Sequence, residues 1–392
     1  MGRIQSGCML LATAVNFSLT NAASAQVALD IQYLRQEVPP PPVLSNLDRI
    51  PEDLGIAGGE VGLADNATTG RFMGQDWTLT VTSVPEGGDW AGAVETALAE
   101  SPLLLIDAPR ENLLAASDIA GEAGALLFNV AVEDSDLRAG ACRANVFHTI
   151  PSYAMRTDAL VQMLRVKRWE DVALVEGQTP EDLVYAEALR ASLTKFGMEL
   201  GSETDWTFDA DMRRSASAEV PLLTQELGEY DVLLVSDERQ DFGRYILYNT
   251  WLPRPVAGSE GLTASAWSPS VEQWGAAQLQ SRFTEHAGRD MAPRDYAAWA
   301  ALRSLGEAVT RTGSATAPDL RAYFLGDEFE LAGFLGRPLT FRPWNGQLRQ
   351  PIPIVHPRAL IAQAPLEGFL HQVNELDTLG QDRAEAECTA FE

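Results

Sequence analysis

Lysine is nearly missing from this chain. Of its 392 residues only Lys167 and Lys195 are lysines, so almost all of the 29 basic residues are arginine. Chemistry that needs a lysine amine, such as Schiff-base formation, has few candidates. Histidine occurs four times and cysteine three times. No H-E-x-x-H, C-x-x-C or phosphate-loop lysine is present, Gly258-Ser259-Glu260-Gly261 lacks the spacing of a nucleophile elbow, and the glycines of "GIAGGEVG" do not follow G-x-G-x-x-G. These absences argue against an enzyme. Positive charge as a whole is scarce, because 55 acidic residues leave a net charge of −26. A balance of that sign repels phosphate backbones and makes nucleic acid a poor partner. Diffuse acidity suits a cationic ligand or simple solubility.

Long apolar runs are also absent, with one exception at the start. "MGRIQSGCMLLATAVNFSLTNAASAQ" carries Arg3, a mostly apolar run from Cys8 to Leu19, and Ala23-Ser24-Ala25 before Gln26. This is the layout of a cleavable secretory signal over residues 1–25, too short to span a bilayer. Cys8 precedes the apolar run, which makes it a poor lipid-attachment site, and it leaves with the signal. Cleavage removes Arg3, makes the net charge −27, and leaves about 367 residues, enough for two domains. With no further apolar run of that kind, the mature chain is expected to be soluble and exported, without membrane insertion.

Two cysteines then remain, Cys142 and Cys388. In an exported chain such a pair most simply forms a disulfide. The long loop it closes corresponds to about 4 to 5 kcal/mol in the chain-entropy account. The sharper alternative is a nucleophile, Cys142, with His148 as its base, but nearness in sequence does not orient a base. No second histidine stands at ligand spacing from His148, so a metal site is not expected either.

Short apolar runs alternate with amphipathic stretches almost throughout, as in parallel sheets covered by helices. Helical spacing is expected over 54–65, 89–99, 111–119, 153–166, 181–196 and 218–227. Strands are expected over 77–84, in "LLLID" ending at Asp107, in "ALLFNV" ending at Val130, in "DVALVEG", over 205–209 and in "YDVLLVSDE". The βα series therefore runs twice, which predicts two similar lobes. Two further helices follow, "WGAAQLQSRFTEHAG" and "DYAAWAALRSLGEAVTRTG". The second sets Tyr296, Trp299, Leu302 and Leu305 on one face, a pattern of core packing. Short strands over 339–341, 352–355 and 360–364 close the chain.

The segment "GIAGGEVGLADNATTGRFMGQDWTLTV" resembles the first helix, loop and second strand of type I periplasmic solute-binding proteins of the leucine/isoleucine/valine group, with Asp65 to Arg71 as the loop. "SRFTEHAGRDMAPRDYAAWAALRSLGEAV" resembles the stretch of that family leading into a long helix of the first lobe. More narrowly, "VEDSDLRAGACRANVFHTIPS" and the cysteine-containing tail resemble a subgroup associated with pyrroloquinoline-quinone (PQQ) dependent alcohol oxidation. The resemblance implies an α/β, two-lobed type I periplasmic-binding-protein fold, each lobe a parallel sheet flanked by helices, with three interlobe crossovers. Lobe one would comprise 26–149 and 262–326, lobe two 150–261 and 327–375, and a C-terminal tail 376–392. His148 and Pro151 fall at the first crossover. The implied function is the substrate-binding component of an ABC importer, closing on its ligand by a hinge motion. Its partners would be a small-molecule or ion ligand, an ABC permease and, further, a PQQ-dependent alcohol dehydrogenase. A sensor, or a carrier delivering cofactor or metal to that dehydrogenase, is the alternative. No cofactor of its own is implied.

Cleft contacts in this family come from strand ends. Where amino-acid-binding relatives place small hydroxyl residues after the third and fourth strands, this chain has Asp107-Ala108 and Asn129-Val130-Ala131. A carboxylate there would repel a ligand carboxylate. Glu260, in "AGSEG", matches the family's ammonium-binding glutamate. Ser236 and Asp237, Glu176 and Gln178 stand at other strand ends, and Trp267 and Tyr153 are candidates for an apolar wall. Each is equally open to a blander role as loop residue or helix cap. Convergence of Asp107, Glu176, Asp237 and Glu260 would make an acidic cleft suited to a cation, a polyamine-like ligand or a hard metal ion.

Overall fold

The computed structural model describes residue 2 and residues 27–39, 49–207 and 215–392. Apart from residue 2, the secretory signal expected over 1–25 lies outside them, as do residues 208 and 209 of one expected strand.

Five strands open the chain: β1 (Val27–Gln36), β2 (Gln75–Val84), β3 (Leu103–Asp107), β4 (Leu126–Asn129) and β5 (Val146–His148). They pair in parallel in the order β2-β1-β3-β4-β5. Between them run α1 (Ile56–Met73), α2 (Trp90–Glu100) and α3 (Arg110–Glu122). A parallel sheet must be covered on both faces, and alternate residues of β3 serve different cores. Leu103 and Leu105 join Leu29, Ile31 and Tyr33 on one side, whereas Leu104 and Ile106 join Leu34, Val94 and Leu113 on the other.

The pattern repeats with α4 (Tyr153–Lys167), β6 (Val172–Glu176), α5 (Pro180–Lys195), β7 (Leu200–Asp205), α6 (Ala216–Glu226), β8 (Val232–Ser236), α7 (Gly243–Ile246) and β9 (Val256–Gly258). The second sheet is also parallel, in the order β7-β6-β8-β9. Leu174 and Leu234 face α4 and α5, while Val175 and Val235 face α6 and α7.

After β10 (Thr263–Ala264) the chain returns to the first core with α8 (Ala276–Ala287), α9 (Pro293–Thr312) and α10 (Ala317–Phe324). Tyr296, Trp299, Leu302 and Leu305 of α9 are buried there as expected. A small sheet of β11 (Leu331–Ala332), β12 (Pro338–Phe341) and β13 (Leu348–Arg349) packs Leu339, Phe341 and Leu348 into that same core. The last strands, β14 (Ile352–His356) and β15 (Ala359–Ala364), pair with β10 and bury Ile352, Ile354 and Ala364 in the second core. The chain thus crosses between cores three times: between β5 and α4, between β10 and α8, and between β13 and β14. The first and third crossings touch, since Gln350 Nε2 donates to the carbonyl of Thr149 at 3.0 Å. Among the described residues no helix is long and apolar enough to cross a membrane.

Three local differences from the sequence reading have physical causes. The expected loop over 65–71 is helical, because α1 continues to Met73 before Gly74 caps it in the left-handed region. Asn66, buried on that helix, donates to the carbonyl of Leu302 at 2.7 Å, so packing against α9 overrides the residue's turn preference. The strand expected over 205–209 is β7 at 200–205. It alternates half-buried and exposed residues and so carries no apolar run. Strands β1 and β5 had no sequence expectation. The pair Cys142 and Cys388 is a disulfide as expected, with Cα atoms 5.7 Å apart.

The small residues of α1 let it lie close to α9. A Cβ placed on Gly58 would stand 1.9 Å from the carbonyl oxygen of Asp295. Gly58→Ala is therefore expected to destabilise the protein by about 1 to 3 kcal/mol, the range of core overpacking. Urea unfolding checks this, and an unchanged midpoint would contradict the close approach.

Candidate functional site

The carboxyl ends of both sheets point to the region of the first crossing, where α4 begins. Ser152 caps α4 by accepting the N–H of Met155, which aims the first turn, Tyr153 to Arg156, at the seam between the cores. Arg156 is the centre of the site. Its Nη1 donates to Glu133 Oε2 at 2.5 Å and to Glu238 Oε2 at 2.8 Å, its Nη2 to Glu238 Oε1 at 3.2 Å, and its Nε to the carbonyl of Ala264 at 3.0 Å. Glu133 follows β4 on the first-core side, and Glu238 follows β8 on the second. One guanidinium therefore joins carboxylates from both lobes. The rings of Tyr153 and Tyr185 lie 5.7 and 5.0 Å from the Arg156 guanidinium carbon.

Burial raises the Glu133 carboxyl above its ordinary range, Arg156 opposes this, and Glu238 adds to it. Burial works against the Arg156 charge, yet Glu133 and Glu238 outweigh it and hold its pKa well above the usual value. Burial also raises the Tyr185 phenol, and its hydroxyl, fully enclosed, has no hydrogen-bond partner among the described residues. The cluster sets two carboxylates against the Arg156 guanidinium, and the buried Arg138 guanidinium also acts on Glu133.

The ten residues named from sequence fall into three groups. Tyr153, Ser236, Asp237 and Glu260 lie around the second-lobe side of this site. Tyr153 packs edge-on to Tyr185 with centroids 5.5 Å apart, and its backbone N–H donates to the carbonyl of Glu133 at 2.7 Å. Ser236 is buried and its hydroxyl donates to the Asp182 carbonyl at 2.5 Å. Asp237 accepts the backbone N–H groups of Asp241, Phe242 and Gly243 at 2.8, 2.9 and 2.6 Å, so it shapes the loop into α7. Its own N–H donates to Ser259, whose hydroxyl in turn donates to Glu238. Glu260, half-buried, has no side-chain hydrogen bond or ion pair among the described residues.

The second group stands at strand ends but is already satisfied. Asp107 accepts from the Tyr33 hydroxyl at 3.0 Å and from Arg294 at 3.1 Å. Glu176 is paired with Arg190. Asn129, buried, donates to the carbonyl of Val132 and accepts the N–H groups of Ala131 and Val132, so it braces its own loop. Ala131 is half-buried in that loop, and exposed Gln178 contacts only nearby carbonyls. The four acids therefore do not form one open acidic cleft, because Asp107, Glu176 and Asp237 each have their counter-groups in place. The third group is Trp267, which corrects its expected role: it stacks on Tyr296 at 4.8 Å and donates to Gln280, inside the first core.

The residues of this cluster that the sequence reading did not name are Arg156, Glu133 and Glu238. Extending the strand-end rule by a few residues would have reached the two glutamates. Nothing in the sequence marks Arg156 apart from the other arginines. Among the described residues one compact set, His371, Asp377 and Asp382, could in principle hold an ion. Asp377 already receives Arg342 at 3.0 Å and Arg349 at 2.7 Å, so two guanidinium groups oppose a cation there.

Two outcomes follow. Arg156→Met leaves Glu133 and Glu238 enclosed without their counter-charge, and is expected to cost about 3 to 5 kcal/mol. Adding Glu133→Gln and Glu238→Gln should recover much of that loss, and a denaturant series on the three proteins reads both effects. Burial pushes the Asp237 carboxyl up to about 6, against the three N–H donors and with Asp182 adding to the rise. The folded chain thus holds that proton more tightly than the unfolded one. The contribution favours folding below about pH 4 and is lost as pH rises through about 6. The stability of wild type relative to Asp237→Ala should therefore shrink over that window, and a difference that grows with pH contradicts the assignment.

No known family profile matches the chain, and no curated protein matches it. Solved structures do. A branched-chain amino acid ABC transporter periplasmic ligand-binding protein from Burkholderia xenovorans LB400 superposes with TM-score 0.69 at 15% identity, over 94% of this chain and 100% of that one. A leucine-, isoleucine-, valine-, threonine- and alanine-binding protein from Brucella ovis, in a closed conformation, gives 0.67 at 15% identity over 84% and 89%. A branched-chain amino acid transporter substrate-binding protein from Streptococcus pneumoniae, in complex with isoleucine, gives 0.61 at 13% identity over 86% and 98%. With its two parallel sheets, each flanked by helices, this chain has the two-lobed type I periplasmic-binding fold.

Proposed function

We propose that this protein is an exported, non-enzymatic receptor for a small amino-bearing solute and the substrate-binding component of an ABC importer. The observation that carries this is the Arg156 triad, which joins the strand ends of two parallel sheets beside a chain crossing and gathers two carboxylates around one guanidinium. Glu133, Glu238 and unpaired Glu260 supply acceptors for an ammonium group, and Arg156 supplies donors should the ligand also bear a carboxylate. Hinge closure would bring these groups onto the ligand from two sides. Neighbours of the same fold include proteins in complex with leucine or isoleucine, which supports an amino-acid-like solute over a bare ion.

The finer parts of the reading rest on the sequence. Export rests on the signal pattern over 1–25, and service to a PQQ-dependent alcohol dehydrogenase rests on the resemblance of residues 132–152 and the tail. The lobe limits belong here too: 26–149 with 262–326 against 150–261 with 327–375. The packing of β11 to β13 into the first core supports moving 327–349 to lobe one.

A thermal-shift screen of the mature protein tests the proposal against amino acids, polyamines, PQQ, alcohol-derived acids, calcium and lanthanide ions. Ligand at a hundredfold excess over Kd stabilises by about 2.7 kcal/mol. An amino-bearing solute should raise the midpoint, and Glu238→Gln should weaken its binding about tenfold or more, the value of a charge-assisted hydrogen bond. A shift only with metal ions, or one indifferent to Glu238→Gln, would overturn it.

A further inference from the structure

The last nineteen residues, 374–392, are held from both cores. On the first-core side, Cys388 is bonded to Cys142. The ring of Phe391 lies edge-on to Phe147 at 6.3 Å, with the Arg321 guanidinium 5.5 Å from it. Arg342, which follows β12 and is 1% exposed, donates to the carbonyls of Leu376, Leu379 and Gln381 at 3.1, 2.6 and 3.2 Å. On the second-core side, Asp158 of α4 accepts the N–H of Gly380 at 2.7 Å. Lys195 of α5 donates to the carbonyls of Gly380 and Thr378 at 2.7 and 3.3 Å, and to Asp158 at 2.9 Å.

Gly380 is where the two sets of contacts meet. Its φ of +76° suits glycine, and a Cβ there would stand 2.8 Å from Met155 Cγ and 3.3 Å from Arg342 Nη1. The segment is thus gripped between α4 and the first-core arginine, and eight residues later it is covalently fixed to the first core. Hinge rotation turns one core against the other about the three peptide crossings. A segment anchored on both sides of that hinge must release one anchor before the lobes separate far.

We propose that residues 374–392 form a strap, made a fourth interlobe connection by the Cys142–Cys388 disulfide, that limits how far the lobes open. The strap depends on the two-lobed fold and its anchors, and not on which ligand the cleft takes.

Small-angle X-ray scattering of the ligand-free mature protein tests it, beside a thermal melt that confirms a folded state. A compact chain of this length has a radius of gyration of about 21 Å. Cys142→Ser/Cys388→Ser is expected to raise it relative to wild type. Lys195→Met, which leaves the disulfide intact and loosens the second-core anchor while Asp158 still holds Gly380, should move it in the same direction. If the serine variant does not fold, Lys195→Met carries the test alone. A lowered melting midpoint with an unchanged radius in the folded variants would make the disulfide a stabiliser only and overturn the strap.

Discussion

A guanidinium taken out of water must find its counter-charges where it is buried, and Arg156 finds them on both sides of the seam between two cores. Desolvation would favour loss of its charge, but Glu133 and Glu238 together hold it cationic. Because each carboxylate belongs to a different sheet's carboxyl end, satisfying this one side chain also fixes how the two lobes meet. The surrounding groups follow from the same demand. Ser259 and the Asp182 carboxylate complete the hydrogen bonding of the Glu238 segment, and Tyr153 anchors the Glu133 loop through its backbone.

That seam exists because a parallel sheet cannot leave a face bare. Each sheet here is enclosed by its own helices, giving a pair of clusters on either side of both sheets. Among the described residues the cores are separate clusters, and chain crossings, the Arg156 cluster and the 374–392 segment lie between them. Polar contact at the seam is what the proposed hinge motion requires, since apolar fusion of the cores would make one rigid body. The tight packing of α1 against α9 through glycines belongs, by contrast, to the rigid interior of the first lobe.

Charge is handled in one consistent way through the molecule. Although the chain has a large acidic excess, three of its enclosed acids are individually answered: Asp107 by Tyr33 and Arg294, Asp158 by Lys195 and Ser192, Asp377 by Arg342 and Arg349. The scarcity of lysine has a counterpart in this pattern. A forked guanidinium can serve two acceptors at once, as Arg156 and Arg342 both do, where an ammonium offers a point charge.

Periodicity in the sequence was enough to show the alternation of strands and helices, its repetition and therefore two lobes, because burial on both faces writes apolar runs such as "LLLID" and "VLLVS" directly into the chain. The cysteine count also pointed to the pair, since the expected export and an even number of remaining cysteines leave few alternatives. Local sequence could not show that Asn66 sits in a helix, that β7 is a half-exposed strand, or that Trp267 is core, for each depends on a distant partner: Leu302, β6 and Tyr296. The site was legible as a place, the strand ends, and not as a set of residues. Whether an acid at such an end is free or neutralised depends on a cation supplied from elsewhere in the chain. Arg294 answers Asp107 from 187 residues away, Arg156 reaches Glu238 across 82, and only the tertiary fold brings those charges within a few ångströms.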